Sequence, residues 1–137
     1  MIELSNSNAQ TLAAGQSMIF DLTLLHTGCA ECHRINTGAI NLVRKGAIYE
    51  VSFNANIGAT TAGNPAQIAI TLDGAPLQET TAIVPTAAAG DLTSVSGKTF
   101  IQTYCCCNAA NVILLTNTGT DEITVAANGR ISVGRKA

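Results

Sequence analysis

The segment His26-Thr27-Gly28-Cys29-Ala30-Glu31-Cys32-His33 holds this chain's densest set of side chains able to do chemistry, and Tyr104-Cys105-Cys106-Cys107 adds three thiols far downstream. Two cysteines three positions apart can give a pair of thiolates to one tetrahedral ion, and zinc centres often take a second pair from elsewhere. The second pair is awkward here. Side chains alternate along a strand, so Cys105 and Cys107 share a face while Cys106 points away, a spacing unlike a zinc knuckle. The weak candidates for metal ligation are Cys29, Cys32 and His33 with Cys105 or Cys107, weighed against cysteines that pack as small buried hydrophobes. The residues favour plain thiols. A redox pair would need a helix N-terminus following a strand, and no such helix is visible. A disulfide becomes an option only in an oxidising exterior.

His26 and His33 could ligate metal or act as bases, yet no nucleophile in an elbow motif and no paired carboxylates accompany them. The acidic residues stand singly, without the spacing of a calcium loop or of a glycosidase pair. Gly58 to Gly63 lacks the Gly-Lys-Ser/Thr ending and the following helix of a phosphate loop. The expectation is a protein that is not an enzyme and carries no cofactor.

The elements around these residues follow from composition and period. With 137 residues and 14.1 kDa the chain fits one domain. Charged residues make up 12% and hydrophobic ones 47%, so the core is of ordinary size while much of the polar surface is uncharged. Seven Lys plus Arg, scattered rather than clustered, against nine Asp plus Glu argue against nucleic acid as a partner. The start, Met1-Ile2-Glu3-Leu4, has no basic n-region or long apolar stretch, and the longest aliphatic run, Val112 to Leu115, is too short to cross a bilayer, so no membrane is expected.

Tyr49 to Ile57 alternates apolar and polar residues without a break, as a half-buried strand does. The same period runs through Met18 to Leu24, Ile68 to Leu72, Ile123 to Val125 and Ile131 to Val133. Asn36-Thr37-Gly38, Lys45-Gly46, Asp73-Gly74, Asn117-Thr118-Gly119 and Asn128-Gly129 supply the turns. No window carries a helical stripe. The pattern predicts an all-β, antiparallel two-sheet jelly-roll sandwich of eight to ten strands, with residues 47–57, 66–72, 99–107, 111–117 and 122–134 supplying most of the core. Phe100-Ile101 and Val112-Ile113-Leu114-Leu115 are apolar on both strand faces, which predicts that a partner subunit covers one of them.

Two stretches resemble a known family. Thr37 to Phe53, with Thr37-Gly38, Gly46, Tyr49, Val51 and Phe53 at matching places, resembles the signature of C1q/TNF-like jelly rolls, as do Ile68 to Gly74 and Ile113 to Val125. Gly28-Cys29 to His33-Arg34, Leu72-Asp73-Gly74 with Thr80 to Val84, and Cys105-Cys106 before a final strand are similar to small proteins of phage and prophage structural gene clusters in Firmicutes. The likeness spans about residues 15–135 and its motifs are mostly architectural.

The resemblance implies a homotrimer around a threefold axis, with Phe100, Ile101, Val112, Ile113, Leu114 and Leu115 at the subunit interface. It implies a virion protein without catalytic residues, most simply a trimeric decoration protein that binds the major capsid protein or another virion protein and stabilises the head. Residues 1–14 are then an N-terminal arm, with Met1, Ile2, Glu3 and Leu4 touching the shell, and 15–137 the jelly-roll domain. The alternative is a receptor- or glycan-binding trimer on a virion or bacterial surface, with loops 58–65 and 86–96 as its recognition surface.

Overall fold

The computed structural model describes residues 1–28, 30–33, 36–85, 91–103 and 111–136. They form thirteen strands: β1 (Ile2–Ser5), β2 (Gln10–Leu12), β3 (Leu22–His26), β4 (Glu31–His33), β5 (Ile40–Leu42), β6 (Ile48–Ala59), β7 (Ala66–Leu72), β8 (Ala75–Pro76), β9 (Ala82–Val84), β10 (Thr93–Gln102), β11 (Val112–Thr116), β12 (Ile123–Val125) and β13 (Arg130–Arg135). Among the described residues the single helical turn is the 3-10 turn Gln78–Thr80. All strand pairs are antiparallel, in one seven-stranded and one six-stranded sheet. The architecture is the expected all-β two-sheet sandwich of jelly-roll type.

β6 is the spine of the larger sheet. Its period of two puts Tyr49, Val51, Phe53, Ala55 and Ile57 inside, all buried, while β10 pairs along one of its edges and β13 and β12 follow one another along the other. In the smaller sheet β11 lies between β5 and β7, and Ile113 and Leu115 meet Ile68 and Ile70 in the shared core. The turns form where the Asx-Gly pairs stand. Asp73 and Gly74 both take positive φ (51° and 87°), the conformation that a two-residue hairpin between β7 and β8 demands.

The alternating run Met18 to Leu24 does not form one strand. Ser17 bridges to Thr116 and Phe20 to Thr37 in the smaller sheet, whereas Leu22–His26 pairs with β1 in the larger one. Met18 and Phe20 therefore fill the core while Leu22 and Leu24 face solvent. Asp21 marks the crossing: it accepts the Ser7 amide at 2.8 Å and the Ser7 hydroxyl, and these bonds hold its carboxyl below the usual carboxylate range.

The expected N-terminal arm is instead part of the domain. β1 lies between β13 and β3, and β2 pairs with β12, so residues 2–5 and 10–12 are integral to the larger sheet. Ile2 and Leu4 are fully buried, which removes both from the expected shell contacts; Met1 and Glu3 stay accessible. The physical reason is a short period-two pattern, Ile2-Glu3-Leu4-Ser5, that buries two large aliphatic side chains.

The expected subunit interface is corrected in the same way. Ile101, Ile113 and Leu115 are 4%, 0% and 0% exposed, taken up by the chain's own core. Phe100 stands out from β10 at 60% exposure with the Lys98 ammonium 5.8 Å from its ring centroid. Val112 and Leu114 are half-buried on the outer face of the smaller sheet.

Candidate functional site

Among the metal candidates, Cys29, Cys105 and Cys107 lie outside the described residues. Cys32 is an exposed free thiol on β4. On the same strand, His33 Nε2 is 2.9 Å from the Thr37 carbonyl, which it serves as an N–H donor. His26 Nε2 lies 3.2 Å from the Glu31 carbonyl, so a ring N–H there joins the edges of the two sheets. Among the described residues no group of three or more His, Cys, Asp or Glu side chains is placed to hold a metal ion. The expected recognition loop 58–65 caps the opposite end of the sandwich: the Thr60 amide meets the Glu122 carbonyl, and of its companion loop the residues 86–90 lie outside the described set.

One recess was not expected from sequence. It lies at the end of the sandwich where β6 begins and β13 finishes, has a volume of about 460 Å³, and runs from between the sheets onto the outer face of the larger one. Its floor follows from strand pairing. Ser52 opposes Ser132 and Glu50 opposes Gly134, so two hydroxymethyl groups and a missing side chain leave a depression between longer neighbours. Arg44, Arg135 and Lys136 form its rim.

Charge in the recess is unevenly matched. Glu31 is buried in full, and its Oε1 is 2.5 Å from the Met1 ammonium, which also donates to the Thr27 carbonyl at 2.6 Å. Glu50 pairs with Lys98 at 3.2 Å and Lys136 at 3.3 Å, and the Lys98 bond holds its carboxyl below the usual range. Arg44 and Arg135 make no ion pair among the described residues. Four positive groups thus line the recess against two carboxylates, in a chain whose net charge is -2.

Tyr49 fixes the rim from within. Its hydroxyl donates to the Ala30 carbonyl at 2.8 Å and accepts the Arg44 amide at 3.2 Å, tying the loop before β6 to β4. Burial pushes the phenol above its ordinary value, the Arg44 amide bond opposes this, Glu31 adds to it, and Arg135 and Arg44 act against it. Below about pH 10 the phenol is neutral in both folded and unfolded chains. Above that, the unfolded chain gives up its proton first, so it binds fewer protons than the folded one and stability falls as pH rises. Tyr49→Phe is expected to cost about 1–3 kcal/mol at neutral pH by leaving the Arg44 amide unpaired, while the Ala30 carbonyl keeps the Val43 amide at 2.8 Å. It should also flatten the alkaline decline, which urea melts between pH 8 and 11 would read.

No family model matches the chain, and no curated protein matches it. Among solved structures, the vertex protein P5 of PRD1 shares 14% identity over 99% of this chain and 96% of its own, with a TM-score of 0.47. The CBM35 of Cellvibrio japonicus Abf62 shares 12% over 98% and 96%, with a TM-score of 0.41. The CBM22-1 xylan-binding domain of Paenibacillus barcinonensis Xyn10C shares 14% over 100% and 97%, with a TM-score of 0.42. Likenesses this distant assign no function to the chain.

Proposed function

We propose that this chain is a non-enzymatic structural protein of a phage virion, a homotrimer that sits on the head, binds the major capsid protein or another virion protein, and stabilises the shell. The observation that carries the assembly part is the edge strand β3. All five of its residues are exposed, Leu22, Leu24 and Leu25 at 40%, 47% and 40%, and Ile19 and Met1 extend the apolar surface at 46% and 47%. β3 pairs with β1 on one side and with nothing described on the other. It carries neither the charges nor the proline with which solitary proteins blunt an open edge. A neighbouring protein surface covers such a strand at little cost, and a rigid trimer adds the contacts of three chains into one binding event. The virion assignment is supported by the sequence resemblance at residues 28–34 and 72–84. A second reading, recognition of a cell-surface receptor or glycan, is favoured by the charged recess at the end of the sandwich.

Sedimentation at micromolar concentration is expected to show a species of three times the 14.1 kDa chain. Leu22→Lys with Leu24→Lys should reduce it to single chains that keep the parent's β-sheet circular dichroism, because both side chains face water in the single chain. A wild-type chain that sediments alone overturns the trimer. Heads from phage lacking the gene should fail at lower temperature or in low salt, and equal survival overturns the stabilising role.

A further inference from the structure

The recess at the start of β6 has a volume within the range of small-ligand sites, about 300–1,000 Å³, and its chemistry is specific. Arg44 and Arg135 present guanidinium groups without ion-pair partners among the described residues, and a planar fork of donors suits carboxylate and phosphate oxygens. The floor supplies different partners. Ser52 offers a hydroxyl with no side-chain partner among the described residues, and Glu50 is an ionised acceptor beside it. Among the described residues no aromatic side chain lines the recess, which leaves them no platform for stacking bases or neutral sugar rings.

We propose that this recess binds an anionic polyol polymer of a cell surface, with Arg44 and Arg135 on its oxyanion and Ser52 and Glu50 on adjacent hydroxyls. The inference rests on the second reading above; the recess is built within one chain and is not lined by Leu22, Leu24 or Leu25, although Met1 belongs to both surfaces. The oxyanion can be the carboxylate of a uronic-acid polysaccharide or the phosphodiester of a polyol phosphate, which share the same pairing of anion and hydroxyl.

Titration calorimetry of the full chain distinguishes them. The probes are oligogalacturonate, an oligomer of glycerol phosphate, neutral oligogalactose and a single-stranded DNA oligonucleotide. The expected result is binding of oligogalacturonate or of the glycerol phosphate oligomer, with no heat from the neutral sugar and at least tenfold weaker binding of DNA. Whichever oligomer binds more tightly names the source. Arg44→Ala and Arg135→Ala should each weaken that binding about tenfold. Arg130→Ala, which removes the same charge from the same sheet outside the recess, should leave affinity within about twofold. All three side chains are exposed, so the variants should melt as the parent does, and Arg44→Lys, which keeps the charge and loses the fork, should recover only part of the affinity. The proposal is overturned if neither anionic oligomer binds, if DNA or the neutral sugar binds equally well, or if Arg130→Ala weakens binding as much as Arg44→Ala. Sedimentation of the same variants keeps this outcome separate from the assembly state.

Discussion

Gly38→Ala should destabilise the fold by about 3 kcal/mol or more, the upper range for inserting a methyl group into a packed site. A Cβ at this position would overlap the Met18 carbonyl oxygen and press on Leu114 Cδ2 at 3.4 Å. Neither backbone can give way. The Met18 amide is bonded to the Leu115 carbonyl at 2.9 Å, and the Phe20 amide to the Thr37 carbonyl at 3.1 Å, so both sides of the contact are anchored to the smaller sheet. Gly38 has no positive φ, which makes the cost one of space and not of backbone conformation. Gly134→Ala is the matched control: the added carbon would lie 3.6 Å from Met1 Cγ, an ordinary contact, and stability should change by less than about 1 kcal/mol. Urea denaturation of both variants measures the difference, and similar midpoints would remove the packing explanation.

Asn117→Leu is expected to cost about 3–5 kcal/mol despite its similar size. Asn117 is fully buried; its Nδ2 donates to the Leu12 and Asp121 carbonyls at 3.0 and 2.8 Å, and its Oδ1 accepts the Gly119 amide at 3.0 Å. One side chain therefore serves three main-chain groups from the end of β2 and the turn leading to β12. An apolar replacement leaves them without partners inside the protein, at about 1–3 kcal/mol each before relaxation. Asn117→Asp should not rescue the loss, since a carboxylate accepts the Gly119 amide but opposes two carbonyl oxygens. Thermal melts of the two variants check this, and an Asp variant as stable as the parent would show that the donor contacts matter little.

The sequence was most informative where burial follows the strand period. Tyr49 to Ile57 states its inward face outright, and β12 and β13 do so in shorter runs. Turn chemistry was equally plain at Asp73-Gly74 and Asn128, both at positive φ. The first half of β10 carries no legible strand signal because its inward residues are Val95, Gly97 and Thr99, too small to mark a buried face, the Phe53 ring filling the space beside Gly97. β1 is hard to read because four residues carry little periodic signal. Met18 to Leu24 misled for a different reason: its alternation is real, but the chain changes sheets at Asp21, and local pattern cannot encode which sheet supplies the partner. The recess was hidden for the same cause. Arg135 stands far in sequence from Arg44 and Ser52, and the registers of β6 with β13 and the Tyr49 tether bring the three to one place.

The seat of β13, wedged between β1 and β6, has a bearing on how the molecule is made. Residues 2–5 leave the ribosome long before their partner, residues 130–135. Until then the larger sheet is split, and two open ladders wait side by side. A nascent or prematurely stopped polypeptide ending before residue 130 is thus a sticky fragment, prone to borrowing the missing ribbon from a sister molecule.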